Sequence, residues 1–101
     1  MAGSTSLKSY PNKAQAHRAV LELGIEADFQ GLGYGKKLTE IVLTWAKNQN
    51  SLKWIDLNVF ARNQKARKLY SKVGFYEVGR FQDFYDVKNH KIDNIRMTLE
   101  L

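Results

Sequence analysis

Between positions 30 and 35 the chain reads Gln30-Gly31-Leu32-Gly33-Tyr34-Gly35. Glycine at alternate positions leaves a loop almost bare of side chains, open to unusual dihedrals and to close approach by a ligand. An amphipathic helical pattern begins directly behind it, at Lys36. A helix starting there points unpaired N–H groups outward, backed by the positive end of its dipole. That arrangement suits phosphate binding. Two common nucleotide loops do not fit. A Walker A loop needs G-x-x-x-x-G-K-[ST], but the glycine spacing is short and Lys37 stands where Ser or Thr would bind magnesium. A dinucleotide fingerprint needs G-x-G-x-x-G, but Lys36 occupies its third glycine. What is left is Gln30-x-x-Gly33-x-Gly35, which alone also suits a plain turn.

Other residues able to do chemistry are spread along the chain. Tyr70 is a phenol on an apolar helical stripe, where a core tyrosine with a partnered hydroxyl is the plain reading. Asn63 is a good helix N-cap. Glu22 is a carboxylate that faces away from Leu21, Leu23 and Ile25, as a solvent-facing strand residue would. His17 has a side chain that titrates near neutral pH. Asp83, Asp86 and Asp93 either attract a cationic amine or are surface charges of a hairpin. Lys36, Lys37, Arg67 and Lys68 either surround a phosphate or line solvated helix faces.

The elements that must position these residues follow from periodicity. Leu21, Leu23 and Ile25 alternate, so Ala19–Ile25 is a strand ending at the glycine loop. Leu38, Ile41, Val42 and Trp45 draw one helical stripe, and Asn48, Asn50 and Ser51 end that helix. Ile55, Leu57 and Val59 alternate within a strand from Lys53 to Phe60. Ala66, Leu69, Tyr70 and Val73 repeat the helical stripe, and Gly74 stops it. An aromatic-rich run from Phe75 to Phe84, a turn at Lys88-Asn89-His90 and an alternating end from Ile95 to Leu101 make a hairpin. Leu7–Tyr10 is the end of a further strand. The expected fold is α+β: β-α-β-α-β-β, a mixed sheet with helices on both faces. The first strands should run parallel and the last two antiparallel.

The 101 residues suit one domain, and 44% hydrophobic with 12% aromatic content is globular. Residues 1–6, small and polar, read as a disordered tail or an engineered scar, with a single domain over 7–101. Sixteen Lys and Arg against ten Asp and Glu give a formal charge of +6, which favours an anionic partner. The absence of cysteine removes disulfides, thiolate metal ligands and a cysteine nucleophile, and is compatible with a reducing cytosol. No membrane span or secretory signal is legible, and no metal is expected.

The glycine loop together with Asn63-x-x-Ala66-x-x-Leu69-Tyr70-x-x-x-Gly74-Phe75 resembles the GNAT superfamily of acetyl-CoA-dependent N-acetyltransferases. The stretch from Gly79-Arg80 through Tyr85 and Asp93 to Met97 is similar to its ribosomal-protein and polyamine acetyltransferase branch. The resemblance spans about residues 17 to 101 and leaves the front of the family's domain, which helps form the acceptor site, without a counterpart. It implies acetyl transfer from acetyl-CoA to a primary amine, on a small molecule or a protein N-terminus. It also implies residue roles. Backbone N–H groups from Leu32 to Lys36 hold the cofactor pyrophosphate beside Gln30, Gly31, Gly33, Tyr34 and Gly35. The strand carrying Leu23 and Ile25 polarises the thioester carbonyl. Asn63 and Lys68 contact the cofactor, and Tyr70 protonates the departing thiolate. Glu22 is one candidate base; His17, near the position of a frequent family glutamate, is the other. Without cysteine, the amine is expected to attack bound acetyl-CoA directly.

Two other functions compete. One is a CoA-binding half-domain without turnover. The other is a basic nucleic-acid-binding module in which Trp54, Phe60, Tyr76, Phe81 and Phe84 stack bases; these aromatics are expected instead to fill the core, which disfavours nucleic acid. The short front predicts that the strand before the glycine loop is a sheet edge, and so predicts a homo-oligomer, with exchanged strands as one form.

Overall fold

In the computed structural model of the chain, residues 3–25 and 34–101 are described. Strand β1 (Gly3–Ser9) leads through a 3-10 turn (Lys13–Gln15) to β2 (Arg18–Ile25). Helix α1 (Tyr34–Lys47), β3 (Trp54–Phe60) and α2 (Gln64–Val73) follow, then the hairpin β4 (Tyr76–Val87) and β5 (His90–Glu100). The sheet order is β1-β2-β3-β5-β4, with β2 and β3 parallel and the other neighbours antiparallel.

Local chemistry accounts for the element ends. Asn63 caps α2, its Oδ1 accepting from the Ala66 N–H at 3.1 Å. Gly74 closes that helix at φ +121°, where a Cβ would stand 3.1 Å from Leu99 Cδ1. Lys88 and Asn89 take φ 51° and 66° at the tip of the hairpin, the left-handed geometry of a two-residue turn.

The core lies on one face. Ile55, Leu57 and Val59 of β3, opposite Leu99, Met97 and Ile95 of β5, meet Leu43 and Ala46 of α1 and Tyr70 of α2. Ile55 and Met97 are fully buried, and each such side chain contributes roughly 1.5–3 kcal/mol of apolar burial. Both described helices therefore pack on the same sheet face, not on both faces as expected. The reason is handedness. The β2-α1-β3 and β3-α2-β4 crossovers both join parallel strands and both advance in one direction along the sheet, so right-handed connections put both helices on one side.

Other expectations are corrected too. The strand before the glycine loop is not an edge: β1 pairs with it from Gly3↔Ile25 to Ser9↔Ala19, so residues 3–6 belong to a strand and not to a tail. The edges are β1 and β4. The buried stripe of α1 is Thr39, Leu43 and Ala46, whereas Ile41 and Trp45 are 64% and 53% exposed. The aromatics of β4 do not fill the core: Tyr76, Phe81 and Phe84 are each about half exposed. By contrast, α2 packs as its periodicity predicts, with Tyr70 buried and Ala66, Leu69 and Val73 against the core.

Candidate functional site

The ladder between β2 and β3 covers only Arg18↔Trp54, Ala19↔Ile55 and Val20↔Asp56. Beyond Val20 the two strands part. β2 continues along β1 as far as Ile25, and β3 continues along β5 as far as Phe60. A cleft of about 320 Å³ opens where they separate, lined by Val20, Leu21, Glu22, Leu57, Asn58, Tyr70 and Tyr85. Leu21, Leu57 and Tyr70 come from the helix side. Asn58 sits on the alternate positions of β3 and faces away from the helices with Asp56 and Phe60. The cleft is thus reached from both faces of the sheet.

The closed end of the strand pair is clamped. Asp56 is 3% exposed and lies on the face opposite the described helices. It accepts from Arg18 at 2.6 and 3.0 Å, from Thr98 Oγ1 at 2.7 Å and from the Tyr10 hydroxyl. Burial pushes its pKa up, but the hydrogen bonds from Arg18, Tyr10 and Thr98 outweigh this and hold it at about 2. Arg96 joins the cluster by donating to Tyr10 at 2.9 Å. One carboxylate thereby ties β2, β3 and β5 together with the segment after β1. In sequence Asp56 is simply a polar residue between Ile55 and Leu57; the partners that reveal it lie 38, 42 and 46 residues away.

At the open end stands Tyr70. Helix α2 presents it to the cleft, with its ring edge-on to Phe75 at 5.9 Å. It is 9% exposed, and among the described residues its hydroxyl has no hydrogen-bond partner. Burial raises its pKa, so the phenol keeps its proton throughout the neutral range. A buried, unpartnered hydroxyl facing a cavity is costly unless a ligand completes it.

The structure brings Glu22 to the same cleft. Its side chain is 51% exposed and shares a 3.3 Å ion pair with Lys8. His17 is not brought there: it is exposed, precedes β2, and its carbonyl accepts from Lys53 and Trp54 N–H at the clamped end. Leu23 and Ile25 lie on β2 past the last rung with β3, so their backbone belongs to the diverging part of the strand. Tyr34, Gly35 and Lys36 form the first turn of α1. Gln30, Gly31, Leu32 and Gly33 lie outside the described residues. Asn63 acts as the α2 cap. Lys68 lines a separate open hollow of about 530 Å³ with Gln64, Arg67, Ser71, Lys72 and Glu77. There Arg67 is already forked onto Glu77 at 2.8 and 2.9 Å, and it braces α2 through the Ala61 carbonyl at 2.8 Å. That hollow is larger than the cleft, but it has no buried reactive group among the described residues.

Sequence reading missed Asn58 and Asn94. Asn94 is fully buried beside the cleft; its Nδ2 donates to Asn58 Oδ1 at 3.0 Å and its Oδ1 accepts from Tyr85 at 3.2 Å. The only signal was a polar residue at a strand position, which equally suits solvent.

Helix α2 thus sets a phenol at the place where two parallel strands part. The profile of the Acetyltransferase (GNAT) family matches residues 1–75, and the chain belongs to that family. It is 34% identical over 67 residues to YycN, an uncharacterised N-acetyltransferase of Bacillus subtilis (strain 168), a match covering 66% of this chain and 42% of that one. The acetyltransferase of GNAT family from Streptococcus pneumoniae superposes with a TM-score of 0.92 at 28% identity, over 99% of this chain and 60% of that one. The yncA protein from Salmonella typhimurium, solved with its cofactor acetyl-CoA, shares the fold at a TM-score of 0.91 and 17% identity, over 99% of this chain and 58% of that one. The chain spans less than half the length of the curated relatives it matches.

Proposed function

We propose that this domain transfers an acetyl group from acetyl-CoA directly to a primary amine held in the same cleft. The observation that carries the reading is Tyr70: a protonated, buried phenol with no protein partner among the described residues, at the gap between β2 and β3. The residues present fit the cofactor. Past Val20, β2 no longer pairs with β3, so its facing backbone groups are available to an extended ligand. The first turn of α1, from Tyr34 to Lys36, offers N–H groups and a dipole to phosphate, directly after Gln30–Gly33 in the sequence. Asn63, the cap of α2, and Lys68, which lines the separate open hollow, are further candidate contacts for the cofactor.

Acetyl-CoA, when bound, supplies an activated acyl thioester. The protein's part is to position and to move protons. Tyr70 holds a proton at Oη for the departing thiol sulfur. Glu22 is the cleft carboxylate able to take the proton that the amine loses. The backbone at Leu23 and Ile25 is the candidate for polarising the acyl carbonyl. Holding both reactants in one cleft supplies much of the acceleration.

The test is twofold. Acetyl-CoA at one hundred times its Kd is expected to stabilise the fold by about 2.7 kcal/mol, read as a rise in Tm. Thiol release from acetyl-CoA with a panel of amines should then depend on Tyr70. No Tm shift at millimolar acetyl-CoA defeats the reading. A shift without thiol release on any amine supports a second reading, CoA binding without turnover. For assembly, we infer a homo-oligomer through edge strand β4. It exposes Tyr76, Val78, Phe81, Phe84 and Val87 by 41–54% each, and light scattering showing a monomer at high concentration overturns this.

A further inference from the structure

We propose that Asn58 reads the acceptor: its side-chain N–H donates to an oxygen beside the reacting amine. The acceptor is then an amine with a neighbouring carbonyl, as in an amino-acid amide or a peptide N-terminus, and not a polyamine. This rests on the acetyltransferase reading of the cleft.

The orientation of Asn58 comes from behind. Tyr85 donates to Asn94 Oδ1 at 3.2 Å, and Asn94 Nδ2 donates to Asn58 Oδ1 at 3.0 Å. Asn94 is fully buried, so neither of its ends can turn to water. The relay is itself held. Tyr85 packs on Phe60 with ring centroids 4.8 Å apart, and an irregularity between Phe81 and Tyr85 in β4 aims Tyr85 back over the sheet. The Asn58 oxygen is thus occupied. Its Nδ2 has no partner among the described residues, and Asn58 lines the cleft together with Tyr70 and Glu22. A polar chain running from a buried amide to the cleft wall, with a donor at its open end, is a contact built for an oxygen acceptor.

The charges nearby argue the same way. A polyamine is recognised by several free carboxylates. In the hairpin, Asp86 is paired with Lys91 at 2.6 Å, and Asp93 is paired with Arg80 at 2.7 Å and accepts from the Asp83 N–H at 2.8 Å. Among the described residues the cleft itself holds one carboxylate, Glu22, already shared with Lys8. One ammonium fits this balance, and an oxygen beside it satisfies Asn58.

The test uses the full chain, isotope-labelled for NMR, in the presence of CoA. The Asn58 side-chain amide signals are assigned by their loss in Asn58→Ala. Alaninamide and trialanine are expected to move the Asn58 amide pair, and propylamine and spermidine to leave it in place. Comparing alaninamide with trialanine separates an amino-acid amide from a peptide as the source of the carbonyl. The preference for alaninamide over propylamine is expected to fall about tenfold in Asn58→Ala, the effect of one lost hydrogen bond. Asn58 signals that ignore alaninamide, or that respond equally to propylamine and spermidine, overturn the proposal even if the variant folds poorly. Acetyl-CoA binding is read separately by Tm. Its loss defeats the acetyltransferase reading, whereas its persistence with silent Asn58 signals defeats this inference alone.

Discussion

The two ends of the β2–β3 pair are made from the same kind of sequence and do opposite things. At the Arg18–Val20 end, the strands are hydrogen-bonded and a buried carboxylate, Asp56, gathers partners from three other segments. At the Leu21–Ile25 end, the strands part and leave a cleft where the Tyr70 hydroxyl goes unpartnered among the described residues. At the closed end the Asp56 carboxylate is satisfied within the protein by Arg18, Tyr10 and Thr98. At the open end the Tyr70 hydroxyl and the Asn58 Nδ2 have no partner among the described residues. A fully satisfied network rigidifies, and an incomplete one is held ready for a ligand.

Damage at the open end should cost rate, and damage at the closed end should cost stability. The largest effect is expected from Tyr70→Phe: thiol release in steady-state assays falls on the order of a hundredfold, the low end for a lost general acid, with Tm little changed. A large Tm loss with unchanged rate would erase the distinction between the two ends. Next is Asp56→Asn, expected to destabilise by about 2 kcal/mol in urea titration, because Arg18 loses its charged partner.

The same group sets an acid limit. The Asp56 pKa is lowered from 3.8 to about 2 in the folded chain, so its contribution is complete above the unfolded value. It is lost as pH falls through about 2, and acid titration of Asp56→Asn should lack that component. Asn63→Ala removes the cap of the helix that holds Tyr70 and is expected to cost about 1 kcal/mol by the same denaturation assay. The smallest effect tests the corrected helix stripe. Trp45→Gln, at a 53% exposed site on α1, should stay within about 0.5 kcal/mol, whereas a loss of several would restore Trp45 to the core.

Much of the frame was legible in the chain. The alternation at Leu21 and at Ile55–Val59, the stripe through Tyr70, the Asn63 cap and the Gly74 stop all describe what a residue does with neighbours a few positions away. The stripe of α1 was misread because Ile41 and Trp45 are as apolar as the residues that pack, and only contact with β1, β2 and α2 selects Thr39, Leu43 and Ala46 instead. The placement of β5 between β3 and β4, which turns Asn94 toward Asn58, had no local sign. Neither did the clamp on Asp56.

By itself, then, the sequence determined most of the elements, the α2 cap and stop, the hairpin turn and the place of the phenol on its helix. These are consequences of side-chain period and backbone freedom, which act over a turn or a strand. Tertiary structure alone decided that β2 should leave β3 at Val20, because each strand follows a different antiparallel partner from there on. It also decided which polar residues are satisfied and which face the gap. Burial and pairing depend on groups brought together from 36 to 46 residues away, and no local pattern carries that information.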